Sequence, residues 1–168
     1  MIQVQSFATL MPGPALRPAP PVTLTLSSGL LDFTQRQLRS FSAGTREALV
    51  VWAGSPHPGG ALITHVITPE TCAHYDHLTV PSGTRAELAT YLRREELLLF
   101  ADLHTHPTAA FLSRADRAQP LSIRPGFYAI VVPEFAVGLA GSGWRCYEST
   151  GTDWEEVNCD DRLRPGPS

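Results

Sequence analysis

A chain of 168 residues is long enough to bury one sizeable core and fits a single domain. Hydrophobic residues make up 43% and charged residues 17%, a balance that excludes a disordered chain. The formal charge of −3, with no run of five or more Lys or Arg, argues against nucleic acid as a partner, and no apolar run approaches a membrane span.

The N-terminus shows no basic stretch followed by a long apolar core, so no secretory leader is expected. Cys72, Cys146 and Cys159 are odd in number and show no paired spacing. That pattern predicts reduced thiols in a cytoplasmic protein.

Residues 1–21 end in Pro12-Gly13-Pro14 and Pro18-Ala19-Pro20-Pro21 and read as a loop or polyproline segment at a domain edge. Val22 to Leu26 alternates like a first strand. Leu30, Leu31, Phe33, Leu38 and Phe41 fall at roughly helical spacing, closed by Gly44, and predict a helix that packs on a sheet. Ala48 to Ala53 is an apolar strand, Ser55 to Gly60 a Pro/Gly turn, and Ala61 to Ile67 the second strand of a hairpin. Thr71 to Val80, with Cys72, His74, Asp76 and His77, reads as an exposed insertion, and a separate structural metal there would want tighter ligand spacing.

A helix is expected from Pro81-Ser82-Gly83 onward, with Leu88 and Leu92 on its apolar face and Arg93 to Glu96 at its wet end. Leu97 to Leu103 reads as a buried strand. A short helix follows Ser113 and runs to about Gln119. Phe127 to Val132 is another buried strand, Ala136 to Ala140 a weaker one, and 144–148 and 153–157 alternate like late edge strands. Residues 159–168 read as a flexible tail. Short-turn hairpins require that part of the sheet be antiparallel.

The chemistry concentrates in Leu103-His104-Thr105-His106-Pro107 and Phe111-Leu112-Ser113-Arg114-Ala115-Asp116. Residues i and i+2 of a strand share a face, so His104 and His106 can converge on one ion, and Pro107 ends the pairing for want of an N–H. Two His and one Asp are three protein ligands, which leaves a tetrahedral metal one open position, the catalytic arrangement. A His-x-His pair is also common on structural grounds, and Ser113-x-x-Asp116 is a capping-box variant that would start a helix at Arg114.

With this order of elements and this cluster, residues 22–158 resemble the JAB/MPN domain of the JAMM metalloproteases. The resemblance rests on His104-Thr105-His106-Pro107, on Ser113-Arg114-Ala115-Asp116 with its Ala110-Phe111-Leu112 lead-in, and on Glu47 before the apolar strand ending at Gly54. The loop from His106 to Asp116 is one residue shorter than the spacing associated with the best-known members, and the strand after Glu47 lacks an inner Gly.

The resemblance implies an α/β fold, the cytidine-deaminase-like or MPN three-layer sandwich, with a mixed, largely antiparallel sheet flanked by helices. It implies one zinc ion held by His104, His106 and Asp116, with Glu47 as general base and Ser113 as donor to the oxyanion. It further implies a bacterial stand-alone isopeptidase that cuts after the C-terminal tail of a ubiquitin-like protein, in deconjugation or precursor trimming. Its partners would be that protein or its conjugates, with activating and conjugating enzyme homologues nearby, and neither nucleic acid nor membrane. The competing class is a silent MPN scaffold, which would have lost ligands that this chain retains. A DNA-repair connection, as in distant relatives, is disfavoured by the absence of a basic face.

Overall fold

A computed structural model describes residues 22–26 and 28–166. The Pro-rich head, 1–21, lies outside the described residues. The elements are β1 (Thr23–Leu26), α1 (Ser28–Ser42), β2 (Leu49–His57), β3 (Gly60–Ile67), β4 (Cys72–Ala73), β5 (Leu78–Thr79), α2 (Ser82–Arg94), β6 (Leu98–Thr105), α3 (Arg114–Ala118), β7 (Tyr128–Val132), β8 (Arg145–Ser149), β9 (Trp154–Val157), α4 (Cys159–Arg162) and β10 (Leu163–Pro165).

Eight strands form one mixed sheet in the order β10-β1-β3-β2-β6-β7-β8-β9. The β2–β3, β2–β6, β7–β8 and β8–β9 pairs are antiparallel, whereas β6–β7, β1–β3 and β1–β10 are parallel. β2, β6 and β7 sit in the middle with neighbours on both sides, and their runs, Leu49-Val50-Val51-Trp52, Phe100-Ala101 and Tyr128 to Val132, are buried throughout. Continuous apolar sequence is what a strand covered on both faces requires.

Alternation along β2 separates the two faces. Val50 and Trp52 join Leu24, Leu103, Ile130 and the α1 residue Leu38 in the main core. Leu49 and Val51 face the other way, onto Leu88 and Leu92 of α2. The sheet is thus covered by α1 on one face and α2 on the other. α1 is also tied to the sheet by polar contact, since the indole Nε1 of Trp52 donates to Thr34 Oγ1 over 2.9 Å. α1 ends where Ala43 and Gly44 turn left-handed, at φ +48° and +69°, as its closing Gly predicts.

The hairpin is longer than expected. β2 runs to His57 and β3 begins at Gly60, so the turn shrinks from Ser55–Gly60 to Pro58-Gly59. Beyond Gly54, β2 has β3 as its one neighbour, and such an edge tolerates Pro56. The register of β2 slips around Ala53 on both sides, and Gly54 fills the kink. A Cβ on Gly54 would lie within 2 Å of the Leu62 carbonyl oxygen, so no other residue fits there.

Three further expectations are corrected. Ala136 to Ala140 forms no strand, because β7 already has β6 and β8 on its two sides. The chain leaves β7 instead through a left-handed turn at Glu134-Phe135-Ala136, with φ of 53°, 52° and 61°. The segment from 159 read as a flexible tail carries α4 and β10, and β10 closes the sheet edge by setting Leu163 beside Leu24. The thiols are not all reduced: Cys146 on β8 is bonded to Cys159 at the start of α4, which leaves Cys72 free and exposed. Sequence spacing did not show this pair, because the β8–β9 hairpin is what returns the chain to Cys146.

Candidate metal centre

β6 carries Asp102 and His104 on the α2 face, opposite Val51 and Leu49 of β2. The antiparallel register continues past the strand, since Ala48 N–H donates to Thr105 Oγ1 (2.9 Å) and Thr105 N–H to the Ala48 carbonyl (3.0 Å). One step further sets Glu47 opposite His106. Their side chains meet as this predicts, with Glu47 Oε1 3.8 Å from His106 Nε2. The 71–80 segment is largely exposed, as expected, but it also touches the site. The His74 carbonyl accepts from Glu47 N–H at 2.7 Å and pins the residue from outside.

His106 is held by its backbone on both sides. Its N–H donates to the Val132 carbonyl and its own carbonyl accepts from Phe135 N–H, each at 2.9 Å. Its ring packs edge-on against Phe111, with centroids 4.8 Å apart. Asp116 arrives from α3. Ser113 caps that helix in a full capping box, with its hydroxyl oxygen accepting from Asp116 N–H at 3.2 Å and its own N–H donating to Asp116 Oδ2 at 2.7 Å. The helix predicted after Ser113 is therefore present, and its cap aims the carboxylate.

These elements bring His104, His106 and Asp116 together, with one ligand atom of each within 4.8 Å of the others. Asp116 Oδ2 lies 3.4 Å from Nε2 of both imidazoles. Donor atoms bound at about 2.1 Å to a tetrahedral ion sit about 3.4 Å apart, so this spacing is that of a coordination edge. His104 Nε2 is buried and makes no hydrogen bond among the described residues, as suits a ligand atom aimed at an ion. The residues therefore fit a metal ion.

The electrostatics agree. Burial opposes a charge on His104, yet Asp102 and Asp116 outweigh it and push its pKa up to about 10. Burial alone would raise Asp116, but the imidazoles of His104 and His106 beside its carboxylate hold it well below the usual carboxylate range. The site thus gathers negative charge that calls for a cation. Glu47 is 2% exposed, and both of its carboxylate oxygens lack a hydrogen-bond partner. Burial is the main cause of its raised pKa, about 7 against an ordinary 4.5, and a carboxyl poised there can both take and give a proton near neutrality.

Sequence reasoning passed over Asp102. Its signal was available: a carboxylate two residues before His104, inside an apolar strand, must share that histidine's face.

The fold and the cluster together define a mixed α/β protein whose central strand ends in a buried His-His-Asp site beside a glutamate whose oxygens accept no hydrogen bond among the described residues. The chain is similar to a protein of Sinorhizobium fredii named probable metalloprotease y4jG, 26% identical over 118 residues that cover 68% of this chain and 73% of that one. In fold it is similar to the solution structure of protein DSY2949 from Desulfitobacterium hafniense, with a TM-score of 0.67 at 13% identity over 87% of this chain and 94% of that one. No protein-family model matches the chain. No described helix is long and apolar enough to cross a membrane.

Proposed function

We propose that this chain is a zinc-dependent peptidase of the JAMM kind that hydrolyses the amide bond after the C-terminal tail of a ubiquitin-like protein. The observation that carries the reading is Glu47: a buried carboxylate with neither oxygen hydrogen-bonded among the described residues, its Oε1 3.8 Å from His106 Nε2 beside a three-ligand cluster. A structural role would have given its oxygens hydrogen-bond donors, because a buried polar group without them is costly. The probable metalloprotease of S. fredii supports the same class of activity.

Zinc, held by His104, His106 and Asp116, would supply the Lewis acidity that lets water ionise near neutral pH. Glu47 takes a proton from the attacking water and passes it to the leaving amine. Ser113 donates to the oxyanion. Its oxygen already accepts from Asp116 N–H, which leaves its proton free to point outward. Phe111, half exposed against His106, gives the site an apolar wall.

Glu47 also lines a cleft of about 470 Å³ with Phe41, Arg46, Thr68 and Thr71. An extended tail without bulky side chains suits such a cleft and can bind through its main chain. Homologues of activating and conjugating enzymes would be the accompanying partners.

The test is cleavage of ubiquitin-like proteins fused through their C-terminal tails to a reporter. Zinc-dependent cleavage at the end of the tail is expected, lost with a chelator and restored by zinc. A zinc-loaded protein that cuts no such fusion would refute the substrate assignment, and one that takes up no zinc would favour the silent scaffold.

A further inference from the structure

We propose that Asp102 is a positioning residue for His104: its carboxylate accepts a hydrogen bond from Nδ1–H, keeps the proton on that nitrogen and so presents the Nε2 lone pair to the metal. The inference rests on the metal reading above and adds a residue to it. Asp102 and His104 stand two apart on β6 and face the same side. The Asp102 side chain is 8% exposed, and Oδ1 lies 3.7 Å from His104 Nδ1, while Nε2 on the far side of the ring faces Asp116 at 3.4 Å. The gap to Asp102 is about 0.8 Å more than a direct N–H···O bond, which a small side-chain rotation closes.

The surroundings favour His104 as the partner of Asp102. It lines a cavity of about 40 Å³ whose walls include Leu49, Val80, Leu112 and Leu121. A carboxylate there needs a partner. Arg85 also lines the cavity, but its guanidinium is committed, donating to the carbonyls of Val80, Gln119 and Pro120 at 2.9–3.1 Å. His104 is the ion-pair partner of Asp102 among the described residues.

A metal-bound imidazole must carry its proton on the other nitrogen, and an acceptor there fixes both tautomer and ring angle. His106 is fixed differently, by its backbone bonds and by Phe111. The two imidazoles are thus held by unlike means, one by a carboxylate and one by packing.

The experiment measures zinc affinity by competition with a chromophoric chelator in the full chain, the D102N and D102A variants, and D102E. Loss of the carboxylate should weaken zinc binding by about 10- to 100-fold, with the melting curve of the chelator-treated protein little changed. D102N should fall with D102A despite its equal size, because its amide can donate to Nδ1 and force the wrong tautomer. D102E should recover part of the affinity, since the cavity has room for a methylene.

Unchanged affinity in D102A would overturn the proposal while leaving the metal site standing. A wild-type chain that binds no zinc would remove both. Nitrogen chemical shifts of His104 in the zinc-loaded wild type need no variant at all. Protonated Nδ1 with metallated Nε2 is expected, and the reverse would overturn the assignment.

Discussion

Glu47 should make the metal-free protein less stable than it could be, and by an amount that depends on pH. Unfolded, its carboxyl loses a proton near 4.5; folded, burial holds that proton until about 7. The folded state therefore binds the proton more tightly. Its stability is full below pH 4.5 and is lost as pH rises through 7. The two values differ by about two and a half pH units, and each unit is worth about 1.4 kcal/mol. Allowing for solvent at the mouth of the site, the loss from pH 5 to pH 8 is about 2 kcal/mol.

Glu47→Gln has nearly the same shape and no charge to lose. Urea unfolding of both proteins in chelator should show the variant gaining about 2 kcal/mol on the wild type between pH 5 and pH 8, a midpoint shift of roughly 1 M. Added zinc should narrow the difference, because a cation beside the carboxylate favours its charged form. The same variant should keep zinc and lose peptidase turnover, the usual exchange of stability for function at an active site. Parallel pH–stability curves for the two proteins would show that Glu47 is not held as an unpaired carboxyl, and the case for it as a base would go with them.

His104→Ala and His106→Ala should each abolish stoichiometric zinc uptake in elemental analysis, and peptidase turnover with it. Ser113→Ala should slow turnover about 10²- to 10³-fold while zinc stays bound; a normal rate, with only the ~1 kcal/mol stability loss of a missing cap, would leave Ser113 a purely structural role. Reducing the Cys146–Cys159 bond, which closes a 13-residue separation, should cost about 3 kcal/mol in urea unfolding of the same protein, and identical curves with and without reductant would show that the bond does not constrain the chain.

What the sequence could disclose was set by locality. The strand leading into His104, the same-side placement of His104 and His106, and the helix begun by Ser113 follow from period-2 alternation, a strand-ending Pro and a capping box. All three need information from a few neighbouring residues. The nearness of Glu47 to His106 does not, because it depends on the β2–β6 register across more than fifty residues. A family resemblance could suggest it, but local pattern could not. The missed elements fail for the same reason. β10 is too short and too rich in Pro to read as a strand, and forms because Leu163 finds Leu24 at the sheet edge. The disulfide likewise joins residues from either side of a hairpin. Asp102 is the opposite case, being legible two residues from His104 once its face is considered.

The left-handed turn shows how the two faces of the sheet are coupled. Three consecutive residues with side chains at φ above +50° cost on the order of 1–2 kcal/mol each, so the surroundings must enforce them. α1 does this from the face away from Asp102 and His104. Gln35 Nε2 donates to the carbonyls of Ala136 and Gly138 at 2.5 and 3.0 Å, and Ser42 Oγ to that of Phe135 at 3.1 Å. Phe135 is itself buried and meets the edge of Tyr75 at 5.6 Å. Among the backbone bonds of this turn, the one that reaches the site is Phe135 N–H turned back to the carbonyl of His106. A relaxed turn would send the chain elsewhere and leave the end of β6, with its imidazole, held from one side alone. The position of His106 therefore depends on polar residues of a helix on the opposite face of the sheet from His104, and Tyr75, from the segment that also pins Glu47, braces the same turn.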